Sequence, residues 1–159
     1  MAPRHLIELL KEKGLSIGSC ESFTAGLFCS VLAGIPGASA VLKGGVVCYA
    51  TEIKEKILSV SAETIEKYGV VSRECAIAMA IKGSTMLDTD ICVSFTGNAG
   101  PSAMEGKPAG LAYCAIALKE NVFTYELFMP VKRNEMRRQA VHTMIRQIIS
   151  LLEKEDVYA

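Results

Sequence analysis

Four clusters along this chain hold residue types that can do chemistry. The first is Cys20-Glu21-Ser22-Phe23-Thr24-Ala25-Gly26, where the apolar run from Leu15 to Cys20 gives way to hydroxyl and small residues. A serine at a strand-to-helix junction has its oxygen beside backbone N–H groups that lack partners, which suits a nucleophile, an anion or a developing oxyanion. The same position suits a plain helix cap, so Ser22 or Thr24 is also a candidate to close the helix start. The second cluster is Gly44-Gly45-Val46-Val47-Cys48-Tyr49, followed by Lys54. A strand ending at Tyr49 and a helix carrying Lys54 can turn both toward one cleft, where a desolvated lysine serves as the base for a serine. Against that, Glu52, Glu55 and Lys56 around it are the composition of a solvated helix face. The third cluster, Thr96-Gly97-Asn98-Ala99-Gly100-Pro101, offers a hydroxyl and several N–H groups to a phosphate or carboxylate, or is an ordinary turn-rich loop. The fourth is Lys132-Arg133 with Arg137 and Arg138, where one guanidinium can hold a phosphate bidentately and the rest form a solvated basic turn.

These clusters fall at the ends of alternating elements. Pro3 to Lys13 reads as an amphipathic helix stopped by Gly14, and Leu15 to Cys20 as a strand. A small-residue helix spans about Thr24 to Ala33. Val41 to Ala50 reads as a strand whose Gly44-Gly45 marks a bulge or a close backbone approach. Thr51 to Leu58 is a short polar helix. Ser61 and Ser72 each precede a run with helical apolar spacing and read as N-caps. Asp90 to Phe95 is a buried strand. Gly110 to Leu118 and Val122 to Pro130 form two strands around Lys119-Glu120-Asn121, a hairpin signal. Arg133 to about Lys154 is one long amphipathic helix with Met136, Ala140, Met144, Ile148 and Leu152 along a stripe. Strands mixed with helices, and one late hairpin, predict an α/β fold with a mixed sheet covered by helices on both faces. Open sheets of this kind bind ligands at strand ends.

Composition narrows the function. Seventeen Lys plus Arg balance 17 Asp plus Glu, and half of the 159 residues are hydrophobic. That balance argues against broad nucleic-acid binding, which needs excess cations. No apolar run approaches the length needed to span a bilayer, and the N-terminus lacks the uninterrupted apolar stretch of a signal peptide. No linker or repeat divides residues 1–159. The reading is therefore one cytoplasmic domain. The six cysteines are dispersed without a C-x-x-C, and read as buried thiols of a reducing compartment, with Cys20 alone placed near a site. His5 and His142 have no ligand spacing, so neither a metal site nor a serine–histidine triad is predicted, and no cofactor is called for.

Together the motifs ESFTAG, GGVVCYATEIKEKIL, GVVSRECAIAMA, TGNAGP, GKPAGLAYCAI and RNEMRRQA resemble the CinA C-terminal domain family (competence/damage-inducible protein A-like) from about Leu6 to Leu152. The resemblance implies a three-layer α/β/α sandwich with a mixed, mostly parallel sheet. It also implies a nicotinamide-nucleotide amidohydrolase, which converts nicotinamide mononucleotide to nicotinic acid mononucleotide and ammonia in pyridine nucleotide recycling. The length resembles the family's stand-alone form, and a homo-oligomer is implied. By position, Ser22 would be the nucleophile, with Tyr49 and Lys54 activating it. Thr96 would bond the substrate or the oxyanion, and Arg137, or else Arg133, would hold the phosphate. Thr24, Gly45 and Gly97 complete the implied substrate-binding set. The chain departs from the family pattern at Phe23, Ala25, Asn98, Ser102 to Gly106, and Lys132. A catalytically weak relative that binds nucleotides or a protein partner is the alternative reading.

Overall fold

Successive residues of a strand face opposite sides, so a sheet buried on both faces needs apolar residues throughout, and the inner strands here have them. The computed structural model describes residues 1–154. In chain order the elements are α1 (Ala2–Lys13), β1 (Ile17–Glu21), α2 (Leu27–Ala33), a 3-10 turn (Ala38–Ala40), β2 (Leu42–Val47), α3 (Thr51–Leu58), α4 (Ala62–Tyr68), α5 (Arg73–Leu87), β3 (Ile91–Gly97), β4 (Leu111–Leu118), β5 (Asn121–Phe128) and α6 (Arg133–Leu152). The five strands lie in the order β2-β1-β3-β4-β5. β1 pairs in parallel with both β2 and β3, whereas β4 runs antiparallel to β3 and β5. The sheet is thus mixed, as expected. Its parallel character resides in β2, β1 and β3, and the hairpin supplies the rest.

One face of the sheet, with Ile17, Val93, Phe95, Cys114 and Ile116, packs on α1, α2 and α6 through Leu6, Leu10, Phe28, Leu32, Met144 and Ile148. The other face sets Cys20 and Cys92 against Cys75 and Met79 of α5, with Leu58, Val60 and Val71 beside them. Further along α5, Ala76 and Ala80 meet Ala115 and Ala117, and small side chains on both sides let the helix lie close to the sheet. All six cysteines are free thiols; Cys29 is partly exposed and the other five are buried.

The predicted caps are present. Ser61 Oγ accepts from Thr64 N at 3.1 Å, and Ser72 Oγ accepts from Cys75 N at 3.1 Å. Gly14 closes α1 in the left-handed region, at φ 66°. The bulge expected at the double glycine is also there: the β1–β2 register skips one residue between Leu42 and Gly44. A Cβ on Gly45 would lie 2.5 Å from Cys29 Sγ and 2.8 Å from Ser19 Oγ, so those two side chains occupy the space that its absence leaves. The start of α2 differs from expectation. Ala25 at φ 50° and Gly26 at φ 95° both lie in the left-handed region, so the helix begins at Leu27 rather than Thr24. Residues 22–25 instead form a turn closed by Ala25 N donating to Ser22 O at 3.0 Å.

Candidate active site

The chain leaves β1 at Glu21, and Ser22 is held at the C-terminal end of that inner strand by its N–H, which donates to Phe95 O at 2.9 Å. From the other side, β2 ends at Val47, short of the expected Tyr49, so the segment after it carries Tyr49, and α3 delivers Lys54. Lys54 Nζ donates to Ser22 Oγ at 2.9 Å and to Tyr49 O at 3.0 Å, while Ser22 Oγ donates to Tyr49 O at 3.3 Å. These groups open onto a cavity of about 420 Å³ whose walls include Phe23, Val70, Thr96, Met104 and Arg133.

Lys54 is only 1 % exposed, and among the described residues it forms no ion pair with a carboxylate. Burial pushes its pKa below the ordinary lysine value of 10.5. Charged thiols of Cys48 and Cys75 would pull it back up, as would the more distant Glu105. Burial, however, drives those two thiols up to about 12 and about 11, so near neutral pH they carry no charge to do so. The amine is therefore a neutralisable base in hydrogen-bond contact with a serine hydroxyl.

The other predicted residues divide into two groups. Thr96, Gly97 and Arg133 line the same cavity as Ser22 and Lys54. Thr96 donates its hydroxyl proton to Val70 O at 2.6 Å, which leaves its oxygen only acceptor capacity toward a ligand. Tyr49 reaches the serine and lysine through its main-chain carbonyl. Its half-exposed hydroxyl sits at the rim, accepting from Arg133 Nη2 at 2.6 Å, and Arg133 Nη1 donates to Gly100 O at 2.6 Å. Thr24, Gly45 and Arg137 are not brought to the cavity. Thr24 is fully buried and donates to Glu21 Oε1 at 2.9 Å, and Gly45 lines a separate shallow groove beside α2. Arg137 Nε donates to Phe23 O at 2.9 Å, and its Nη2 donates to Thr24 O at 3.0 Å. Cys20, considered near the site, is turned into the core, where its sulfur lies 3.9 Å from that of Cys92.

Neither Ser22 nor Thr24 caps α2. That role falls to Glu21, 1 % exposed, whose carboxylate accepts from Phe28 N at 2.9 Å and Cys29 N at 3.2 Å. It also takes the hydroxyls of Ser19 at 2.8 Å and Thr24. An acid next to the serine, a few residues ahead of a helix start, was the available signal. A second set of residues, marked in the sequence only as departures at Asn98 and within Ser102 to Gly106, secures the loop at 98–110 together with Lys107. Asn98 Oδ1 accepts from Gly100 N at 3.0 Å and its Nδ2 donates to Ser102 O at 2.8 Å. Glu105 accepts from Val70 N at 2.9 Å and Val71 N at 3.1 Å, and Lys107 Nζ donates to the carbonyls of Tyr68 and Val71. Desolvation lifts the Glu105 pKa, but the two N–H donors and Lys107 outweigh it and leave the carboxyl below its usual 4.5.

The fold and this constellation define an α/β protein with a serine and a buried lysine facing one strand-end cavity. The chain belongs to the CinA C-terminal domain family, whose model matches residues 2–152. A competence-damage inducible protein of Listeria welshimeri is 45% identical over 154 residues, covering 95% of this chain and 37% of its own length. A namesake from Geobacillus is 47% identical over 132 residues, covering 82% of this chain and 32% of its own. This chain therefore spans about a third of the length of the curated relatives it matches. Among solved structures, a competence/damage inducible protein from Agrobacterium tumefaciens is 33% identical, with a TM-score of 0.91 over 96% of this chain and 94% of that one. A CinA superfamily protein from Klebsiella pneumoniae is 26% identical, with a TM-score of 0.94 and 96% of each chain covered. Among the described residues no helix is long and apolar enough to cross a membrane.

Proposed function

We propose that this chain hydrolyses the carboxamide of nicotinamide mononucleotide, giving nicotinic acid mononucleotide and ammonia. The observation that carries the reading is the 2.9 Å contact between Ser22 Oγ and a buried lysine amine that, among the described residues, forms no ion pair. In its neutral form Lys54 keeps one N–H on Tyr49 O and offers its lone pair to the serine proton. Ser22 Oγ then adds to the amide carbon as Lys54 takes that proton. Collapse of the tetrahedral adduct expels the nitrogen, which collects the proton from Lys54 and leaves as ammonia. Water adds to the resulting ester with Lys54 again as base, the proton returns to Ser22, and the nicotinate leaves. Thr96, acceptor-only, suits the N–H of the carboxamide. Arg133, the arginine at the cavity, suits the phosphate.

The test is ammonia release from nicotinamide mononucleotide by the purified chain and by Ser22→Ala. Turnover is expected in the first and its abolition in the second, with the melting temperature preserved. Full turnover by Ser22→Ala would remove the nucleophile. Binding of the nucleotide without ammonia would leave the chain a nucleotide-binding relative.

A further inference from the structure

We infer that the N–H group of Phe23 stabilises the oxyanion at this site, and that Arg137 is the positioning residue that holds the turn carrying it. The inference rests on the proposed role of Ser22 as nucleophile.

A trans peptide unit is planar, so fixing a carbonyl also fixes the N–H of the next residue, pointing the opposite way. Three consecutive units after Ser22 are fixed in this manner. Ser22 O accepts from Ala25 N at 3.0 Å, which sets the Phe23 N–H. Phe23 O accepts from Arg137 Nε at 2.9 Å, which sets the Thr24 N–H. Thr24 O accepts from Arg137 Nη2 at 3.0 Å and from Leu27 N at 3.0 Å. Of the N–H groups in this stretch, Ser22 N is spent on Phe95 O and Ala25 N on Ser22 O. Those of Phe23 and Thr24 have no acceptor among the described residues, although the two residues are 4 % and 0 % exposed.

Buried N–H groups without partners cost stability and are rare. The N–H of Phe23, immediately after the serine and on a residue that lines the 420 Å³ cavity, is what a developing alkoxide on the amide carbon requires, whereas that of Thr24, on a residue with no exposure, stays inside the turn. The turn is disfavoured on its own, since Ala25 sits at φ 50°, and an outside brace is needed to keep it. Arg137 is that brace: its planar fork reaches two adjacent carbonyls at once, which one lysine ammonium cannot reproduce with the same rigidity. Its third nitrogen is directed to Asn134 Oδ1 at 3.1 Å, and Arg137 does not line the cavity, which leaves the phosphate to Arg133, which does.

The test separates the two arginines with two small ligands. Pyridine-3-boronic acid carries the ring and a boron that accepts Ser22 Oγ to give a tetrahedral anion, the proton passing to Lys54, and it has no phosphate. Ribose 5-phosphate carries the phosphate alone. Binding of each to wild type, Arg137→Lys and Arg133→Ala is measured by calorimetry, with melting curves to check folding and kcat and KM for ammonia release where turnover is present. Arg137→Lys should weaken the boronate at least about tenfold and lower kcat about 10²-fold, with KM and ribose 5-phosphate affinity nearly unchanged. Arg133→Ala should do the reverse. Loss of ribose 5-phosphate affinity in Arg137→Lys with the boronate unaffected would return Arg137 to the phosphate and overturn the inference. So would failure of wild type to bind the boronate. Absence of ammonia from wild type beside the expected boronate pattern would instead sink the substrate assignment and leave the oxyanion assignment standing.

Discussion

Replacing Lys54 by methionine should destroy activity while making the protein more stable, and the stability gain should depend on pH. The side chain is 1 % exposed, and its Nζ has two neutral hydrogen-bond partners and, among the described residues, no ion-paired carboxylate. Methionine fills nearly the same volume, so little cavity is created. Losing two neutral hydrogen bonds costs about 1 kcal/mol each, whereas an ammonium in such a place carries a desolvation penalty of several kcal/mol. The net gain is about 1–3 kcal/mol where the amine would be protonated, or roughly 2–12 °C in Tm for a chain of this size. The sign follows from linkage. Because the folded pKa lies below 10.5, the unfolded chain binds the proton more readily over the interval between the two values. Wild type therefore loses stability as pH falls through that interval, and the variant does not. Melting curves of both proteins from pH 6 to pH 11 should show the variant ahead at the acid end, with the gap closing or inverting at the alkaline end. Ammonia release should fall by at least about 10²-fold in the variant, and in wild type should climb with pH along a limb centred below the ordinary lysine value. A variant less stable at every pH, or a gap indifferent to pH, would refute the claim that this amine is desolvated.

Two other perturbations test the scaffold. Glu21→Ala strands two helix N–H groups and two hydroxyls in the interior, and should lower stability by about 3–5 kcal/mol in denaturant titration; a loss below about 1 kcal/mol would show that water satisfies them. Glu105→Ala frees the 102–107 turn from Val70 and Val71 and should raise KM about three- to tenfold through Met104 while leaving kcat near wild type. Because the Glu105 carboxyl is held below its usual value, its contribution to stability in wild type is present at neutral pH and is lost only as pH falls through that lowered value, so the difference in melting temperature between the two proteins should shrink in strong acid.

Much of the scaffold was legible because local chemistry and tertiary context agree. Serine caps at positions 61 and 72, the Gly14 stop, the polar helix after Tyr49 and the hairpin near Lys119 all follow from rules that act over a few residues. What escaped depends on direction rather than type. The stretch Thr24 to Ala33 has helix-forming composition, but two left-handed residues break it, and an alanine in that region is not anticipated by propensity. Tyr49 meets Lys54 through its carbonyl while its phenol turns to Arg133, a choice of direction that the sequence does not encode locally. Arg133 and Arg137, four apart, share a helix face. Only the docking of α6 shows that the first reaches the cavity rim while the second, a turn further in, meets the carbonyls after Ser22.

The departures from the family pattern around the third cluster look unrelated in sequence, yet they form one compensated unit. An apolar side chain at position 98 has nothing to give the backbone. Asn98, in contrast, holds Gly100 N and Ser102 O together and so shapes the start of the loop. The loop then turns at Glu105 and Gly106, at φ 55° and 72°, with Met104 and Lys107 exchanging both backbone hydrogen bonds across the turn. That tight reversal aims Glu105 and Lys107 at opposite kinds of group on one segment: the carboxylate takes the N–H groups of Val70 and Val71, and the ammonium takes the carbonyls of Tyr68 and Val71. Val70 in turn accepts from Thr96, so the clamp reaches the wall of the cavity itself. These residues together form a fixed wall carrying Met104, and the serine and lysine that share the cavity with it are in contact.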